Sequence, residues 1–163
     1  MTRLRTAVVH HVDGMRFTTE TGTGRAPVFG DEPEEGELSP VEMVVATLAA
    51  CSAMDVVTIA LKKRQDFVRY DVHATAEQRD EYPQVLTRVD LLHEVEGPGV
   101  DVGAIRRCIE LSATKYCPVN AMVSAGATEV HHRYHVIRTG SSPLDETGEV
   151  IVTGPYRRPD VLD

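Results

Sequence analysis

The feature that most constrains the fold is a long apolar segment between residues 40 and 63. Ser39 and Pro40 predict a helix start, because serine caps the first backbone amides and proline suits the first helical position. Lys62 and Lys63 complement the negative end of the same helix. Its residues are apolar or small on nearly every side, which predicts a helix that other structure surrounds. The fold must therefore bury this helix near its centre.

The elements on either side of this helix do not alternate regularly between strand and helix. We expect strands at 6–12, 15–20 and 26–29, the long helix, strands at 68–79 and 85–96, helices from Asp101 to Leu111 and over 119–125, and a last strand at 128–137. This order predicts the α+β class with a mostly antiparallel sheet. Residues 1–138 are expected to form one domain. Residues 139–163, rich in Gly, Pro and charge, are expected to form a tail or a small added hairpin.

Composition excludes several classes of function. The chain has 163 residues and 42% hydrophobic content, which suits one packed domain. A net charge of −8 without a basic cluster argues against a nucleic-acid partner. No apolar signal region follows Met1, and Glu42 and Asp55 interrupt the apolar segment, which argues against export and a membrane span. We therefore expect a cytoplasmic protein with reduced thiols.

Three cysteines differ in their surroundings. Cys51 lies in the middle of the apolar helix, where periodicity alone favours a small core residue. Cys108 shares a predicted helix face with apolar neighbours and is also expected in the core. Cys117 precedes Pro118 at a helix end, so its sulfur can lie at the positive start of the next helix, which favours thiolate. Spacing alone leaves open whether Cys51 and Cys117 meet.

A zinc site is the main alternative for these residues, because the chain has three cysteines and seven histidines. No Cys-x-x-Cys occurs, and no His-x-x-x-His falls on a predicted helix. His131 and His135 would share one face of the last predicted strand and His132 the other, so these side chains would not converge as a zinc site requires. The sequence favours no metal and no cofactor. A Cys–His nucleophile pair also stays open, without an acyl-transfer motif to support it.

Two motifs in the expected order resemble the OsmC/Ohr family. The first is Ser39–Met43, followed by an Ala-rich run to Cys51, and the second is Lys115–Val119 near the end of the second helix. The order of elements agrees from about residue 4 to 138, and Met43–Lys63 is most similar to the YhfA-like branch. The resemblance implies an OsmC-like fold, with mostly antiparallel sheets around two central helices. It also implies an intertwined homodimer with active sites at the subunit interface.

The resemblance further implies a thiol-dependent peroxidase that acts in oxidative stress defence. Cys51 would attack an organic hydroperoxide, and Cys117 would condense with the resulting sulfenic acid. A dithiol reductant such as a dihydrolipoyl protein would then reduce the disulfide. Peroxidase members support the thiolate with an arginine from the loop before the long helix, held by a glutamate. Arg25 and Glu42 are therefore expected to complete the site.

Two departures from the family pattern argue against efficient peroxidase activity. Peroxidase members usually carry the glutamate directly after the proline, where this chain has Val41. Glu42 is displaced by one residue and falls on roughly the opposite helix face from Cys51. Asp55, one turn after Cys51, would oppose thiolate formation. The alternative is a binding or redox-sensing dimer with little peroxidase activity.

Overall fold

The computed structural model describes residues 5–22, 24–25, 27–30 and 36–154 of the chain. The chain divides into two compact units, residues 1–44 and 45–163. In chain order the elements are β1 (Ala7–Asp13), β2 (Arg16–Thr21), β3 (Gly24–Arg25), α1 (Pro40–Lys62), β4 (Arg69–Gln78), β5 (Leu86–Gly97), α2 (Val102–Leu111), a π-helical turn (Ser112–Tyr116), α3 (Pro118–Ser124), β6 (Glu129–Arg138) and β7 (Leu144–Thr153). The α+β class is confirmed.

The first unit contains a three-stranded antiparallel sheet in the order β1-β2-β3. Gly14 turns the β1–β2 hairpin with a positive φ of 45°, a conformation that glycine adopts at little cost. Residue 26 of the predicted strand at 26–29 lies outside the described residues. The described residues 27–29 form no strand, and Phe29 makes only isolated bridges, one of them to Phe17. Pro27 has no backbone N–H to donate to a neighbouring strand, which accounts for this difference.

The second unit is built on a four-stranded sheet in the order β4-β5-β6-β7. Strands β5 and β6 are parallel, and the other two pairs are antiparallel. A parallel pair needs a long crossover, which α2, the π-helical turn and α3 supply. Buried side chains alternate along the two central strands and form the sheet's contribution to the core: Val89, Leu91, His93 and Val95 on β5, and Val130, His132, Tyr134 and Val136 on β6.

The prediction that the strand near residue 137 is the last one was wrong. Strand β7 follows it and pairs antiparallel with β6 along its length, from Arg138 opposite Leu144 to Val130 opposite Thr153. Its sequence contains three carboxylates and a glycine, so hydrophobic alternation is weak and the segment looks like a loop. The proposed domain boundary at residue 138 stays a prediction.

Within the second unit, helix α1 buries one stripe rather than its whole surface. Buried residues recur every four positions along it: Leu48, Ser52, Val56 and Ala60. Met54 is 72% exposed and Leu61 60% exposed. The helix is long and apolar enough to cross a bilayer by length and composition, a property that core helices of soluble proteins share. An apolar surface of this extent is typical of an interaction face.

Candidate active site

The sulfur atoms of Cys51 and Cys117 lie close together although 65 residues separate the two cysteines along the chain. The two Sγ atoms and a carboxylate oxygen of Asp55 all lie within 4.8 Å of one another. Cys51 and Asp55 share one face of α1 because they are one helical turn apart. Cys117 is the N-cap residue of α3. The fold therefore brings together two free thiols and one carboxyl group.

Cys117 is the more deeply placed thiol, with 3% of its surface exposed. It packs in an apolar cluster with Leu48, Val89 and Val130. Burial, and to a lesser extent the neighbouring Cys51 sulfur, together raise the pKa of Cys117 to about 12. The backbone N–H of Asn120, 3.3 Å from Sγ, acts in the opposite direction. Cys117 is therefore a protonated thiol at neutral pH, and the expectation that the helix start favours its thiolate is wrong because burial outweighs the Asn120 N–H.

Cys51 is half-buried and packs at the border of the same apolar cluster. Its position on α1 leaves part of its surface accessible, while Cys117 behind it is covered. This arrangement makes Cys51 the sulfur that a small molecule can reach first. The expectation from periodicity that Cys108 lies in the core is confirmed, since its side chain has no exposed surface.

Ser112 holds the Asp55 carboxylate in place, and Ser52 in turn contacts Ser112. The Ser112 hydroxyl donates to Oδ2 of Asp55 at 3.0 Å, and it lies 3.2 Å from the Ser52 hydroxyl. These contacts tie α1 to the π-helical turn before Cys117. Burial raises the pKa of Asp55, and the Ser112 hydrogen bond partly opposes that change. The sequence indicated Asp55, but no motif marked the two serines.

A pocket of about 260 Å³ opens beside Asp55. Its lining combines an aromatic ring, two aliphatic side chains and a few polar groups: Asp55, Thr58, Ile59, Lys62, Leu111 and Tyr116. The lining is mixed, with Ile59 and Leu111 as its aliphatic part and Asp55 and Lys62 as its charged part.

Asn120 anchors the segment that carries Cys117. Its amide group donates to the Ala113 carbonyl at 2.9 Å and to the Thr153 hydroxyl at 3.1 Å. Its carbonyl oxygen lies 3.0 Å from Nε2 of His132 on β6. Asn120 is 1% exposed, so these contacts are shielded from water. Asn120 joins α3 to the π-helical turn, β6 and β7, and no sequence motif marks it.

Behind Asn120, two buried histidines stack on the inner face of the sheet. The rings of His132 and His93 lie 5.8 Å apart, and Nδ1 of His93 is 2.7 Å from the Tyr70 hydroxyl. Burial lowers the pKa of His132 to about 4 and that of His93 to about 3. Both rings are therefore neutral at pH 7, which suits a structural role in the core.

The expected faces of the β6 histidines are confirmed. His132 is buried, while His131 and His135 lie on the other face. His131 lies 3.2 Å from Glu129, and His135 lies 2.9 Å from Asp145. Within the described part of the chain, the one cluster of three or more potential metal ligands is that of Cys51, Asp55 and Cys117, and it contains no histidine.

Glu42 takes part in the helix cap that begins α1. Its Oε2 accepts a hydrogen bond from the Ser39 backbone N–H at 3.0 Å, and the Ser39 hydroxyl accepts one from the Val41 N–H at 3.2 Å. This reciprocal pair is a capping box. The side chain of Arg25 lies outside the described residues. The expected roles of Arg25 and Glu42 at the thiolate stay predictions.

A second arginine in the first unit is held by a glutamate. Nε of Arg16 lies 3.2 Å from Oε1 of Glu37, whose side chain is 2% exposed. Arg16 lies on β2, outside the loop at residues 21–38 where the supporting arginine was expected. Arg16 and Glu37 thus form an arginine–glutamate ion pair within the first unit, which leaves the expected roles of Arg25 and Glu42 untested.

Known proteins resemble this chain over most of its length. The family model for OsmC-like proteins matches residues 32–133. Protein YhfA of Escherichia coli (strain K12) is 37% identical over 131 residues, which are 80% of this chain and 97% of that protein. The expected similarity to the YhfA-like branch is confirmed.

Solved structures share the fold at lower identity. A hypothetical protein from Aquifex aeolicus VF5 superposes with a TM-score of 0.77 at 22% identity, over 85% of this chain and 100% of that one. An organic hydroperoxide resistance protein from Elizabethkingia anophelis gives a TM-score of 0.59 at 14% identity, over 85% of this chain and 99% of that one. These likenesses show the fold, and the family match together with the YhfA relative establishes that the chain belongs to the OsmC-like protein family.

Proposed function

We propose that this protein is a thiol-dependent peroxidase that reduces organic hydroperoxides and acts in oxidative stress defence. The observation that carries the proposal is the convergence of the Cys51 and Cys117 sulfurs, within 4.8 Å of each other and of Asp55. Two free thiols at this separation can close into a disulfide after a modest side-chain movement. Some structural neighbours are described as organic hydroperoxide resistance proteins, which supports this class of substrate.

Cys51 is the attacking residue in this proposal because Cys117 is covered and remains a thiol. The Cys51 thiolate attacks one oxygen of the hydroperoxide, the O–O bond breaks, and the alcohol leaves with a proton. Cys51 is thereby oxidised to sulfenic acid. The Cys117 sulfur then attacks the Cys51 sulfur, water leaves, and a disulfide forms. An external dithiol, such as a dihydrolipoyl protein, reduces this disulfide through two thiol exchanges.

The pocket beside Asp55 supports an organic rather than a purely polar oxidant. Ile59 and Leu111 provide an aliphatic wall, and the Tyr116 ring adds aromatic surface. Transfer of the organic group of a hydroperoxide from water to such a wall is favourable by about 0.8 kcal/mol per buried methylene. Hydrogen peroxide gains none of this energy, so the proposal favours alkyl hydroperoxides.

We also propose that the protein works as an intertwined homodimer in the cytoplasm. Met54 and Leu61 on α1 are apolar and exposed to water, which is unfavourable, and α1 of a second copy would bury them in a homodimer. Arg25 and Glu42 remain the proposed supports of the Cys51 thiolate. Arg25 would offset the negative charge, and Glu42 would hold the arginine in addition to capping α1.

A second function, a redox-sensing or binding dimer with little peroxidase activity, is favoured by one observation. The Asp55 carboxyl group lies within 4.8 Å of both sulfurs, and its negative charge opposes a second negative charge on either of them. Slow thiol oxidation would suit a sensor better than a detoxifying enzyme.

Turnover with a coupled dithiol distinguishes these functions. The wild-type protein is supplied with a dihydrolipoyl reductant and either cumene hydroperoxide or hydrogen peroxide, and peroxide loss is followed. Peroxidase function predicts sustained turnover that Cys51→Ser abolishes and Cys108→Ser, the matched cysteine control, retains. Asp55→Asn should be faster by severalfold, because it removes the opposing charge. A wild type that consumes peroxide no faster than Cys51→Ser would refute the peroxidase proposal.

A further inference from the structure

The group formed by Cys51, Asp55 and Cys117 has the chemistry of a metal-binding site as well as that of a redox pair. Two sulfurs and one carboxylate oxygen lie within 4.8 Å of one another. Cys51 and Asp55 are spaced i, i+4 on α1, a spacing that puts two ligands on one helix face. Cys117 supplies the third ligand from a separate element. This mixed set of sulfur and carboxylate ligands has no cysteine–histidine motif in the sequence.

The distances suit a tetrahedral zinc-class ion after a small contraction. Zinc–sulfur bonds of about 2.3 Å place neighbouring tetrahedral ligands roughly 3.8 Å apart. The observed limit of 4.8 Å therefore requires the three side chains to approach by about 1 Å or less, which side-chain rotation provides. Soft thiolates with one carboxylate favour a borderline ion such as Zn²⁺ over Mg²⁺ or Ca²⁺.

The surroundings already orient the carboxylate as a ligand requires. The Ser112 hydroxyl donates to Oδ2 of Asp55 at 3.0 Å, and the Ser52 hydroxyl lies 3.2 Å from Ser112. Hydrogen bonds of this kind fix ligating groups in metal sites. Half-buried Cys51 and Asp55 leave one side of the group open, which leaves a fourth position for water.

We propose that the reduced protein binds one Zn²⁺-class divalent ion per chain through Cys51, Asp55 and Cys117, with water as the fourth ligand. The two thiols release two protons as the metal–sulfur bonds form. Bound metal occupies the lone pairs that would attack a hydroperoxide, so it protects the sulfurs from oxidation. Conversely, a Cys51–Cys117 disulfide removes two of the three protein ligands and releases the ion. The inference uses the thiols of the proposed peroxidase but does not depend on peroxide turnover.

Metal binding is tested on the reduced, metal-stripped full chain under anaerobic conditions. Zn²⁺ affinity is measured by competition with a chromophoric chelator, and Co²⁺ reports thiolate ligands through its sulfur-to-cobalt charge-transfer absorption. We expect one ion per chain and a charge-transfer band. Cys51→Ser and Cys117→Ser should each weaken binding at least tenfold and reduce the band. Ser112→Ala should weaken binding about tenfold through the loss of carboxylate orientation.

Matched controls separate site binding from adventitious thiol binding. Cys108→Ser removes a thiol outside the group and should bind Zn²⁺ as tightly as wild type. Asp55→Asn keeps the shape of the side chain and should lose about tenfold in affinity. Circular dichroism of every variant checks that the fold is retained. The three-ligand site is refuted if the wild-type protein binds no Zn²⁺. It is also refuted if Asp55→Asn binds Zn²⁺ as tightly as wild type, or if Cys108→Ser is the one variant that loses binding.

The metal and peroxidase proposals fail in different ways. If chelator-treated protein consumes cumene hydroperoxide but binds no Zn²⁺, the metal site is refuted and the peroxidase stands. If the protein binds Zn²⁺ with the expected variant pattern but never consumes peroxide, the site is supported and the peroxidase proposal fails. Stoichiometric Zn²⁺ should also slow thiol loss to hydroperoxide at least tenfold in wild type.

Discussion

Asn120→Ala tests whether a single buried side chain maintains the segment around Cys117. Asn120 is 1% exposed and contacts three other elements through its amide group. The contacts are with the Ala113 carbonyl at 2.9 Å, the Thr153 hydroxyl at 3.1 Å and the His132 ring at 3.0 Å. Alanine removes all three and fits the same helix, so the substitution isolates the hydrogen bonds.

The expected loss of stability follows from the groups that the substitution leaves without a hydrogen-bond partner. A buried acceptor or donor without a partner costs about 1–3 kcal/mol. The Ala113 carbonyl and the His132 nitrogen would both lose their hydrogen-bond partner, whereas the half-buried Thr153 hydroxyl can bond to solvent instead. We therefore expect Asn120→Ala to lower the free energy of unfolding by about 3 kcal/mol. Alanine's better helix propensity recovers only a few tenths of a kcal/mol, roughly.

Urea unfolding followed by circular dichroism measures this loss directly. Gln84→Ala is the control, because it removes another side-chain amide whose contact with the Asp80 carbonyl is exposed. We expect the control to change stability by less than about 0.5 kcal/mol. Alkylation of Cys117 should also become faster in Asn120→Ala as its cover loosens. A stability loss below about 1 kcal/mol, or one equal to that of the control, would refute the anchoring role.

Three further predictions follow from the structure. Burial lowers the pKa of His132 to about 4 and that of His93 to about 3, so below pH 6.5 the unfolded chain binds more protons than the folded chain. Urea unfolding should therefore show about 2–4 kcal/mol less stability at pH 5 than at pH 7. Equal stability at the two pH values would contradict buried neutral rings. Met54→Glu places a carboxylate on the exposed apolar face of α1 and should raise the homodimer dissociation constant at least tenfold, measured by sedimentation. Glu81→Lys, in the β4–β5 connection, is the control and should leave that constant unchanged. Ser39→Ala should cost about 1 kcal/mol by removing the α1 cap, and a neutral result in urea unfolding would argue against the capping box.

Much of the fold was predictable because local signals agreed with the tertiary structure. The Ser39-Pro40 start placed α1 correctly, and Asp101 caps α2 as expected, accepting a hydrogen bond from the Ala104 N–H at 2.8 Å. Strand β7 escaped prediction because it lies beside β6 at the end of the sheet and carries carboxylates where a core strand carries apolar residues. Its place is decided by pairing with β6, which local pattern does not encode.

The candidate site was predictable only in part. Family resemblance paired Cys51 with Cys117, and their convergence within 4.8 Å is now observed. The helical spacing of Cys51 and Asp55 correctly predicted their proximity. Ser112 and Asn120 were not predicted because single polar residues on a helix carry no periodic signal. Asp55, the partner of Ser112, and Thr153, one partner of Asn120, are also distant in the sequence. The sequence predicted that α1 is surrounded on nearly every side, but a single chain buries only one stripe of it. Composition shows that a helix face is apolar and does not show whether the same chain or another molecule packs against it.

The most direct test of the account is the fate of the thiols when reduced protein meets one equivalent of cumene hydroperoxide. Free thiols are counted over time, and mass spectrometry identifies the products in wild type, Cys51→Ser and Cys117→Ser. The account predicts rapid formation of a Cys51–Cys117 disulfide in wild type and no reaction in Cys51→Ser. In Cys117→Ser, it predicts oxidation that stops at sulfenic or over-oxidised Cys51. Wild type that keeps its thiols for minutes, or Cys51→Ser that reacts as fast as wild type, would contradict it.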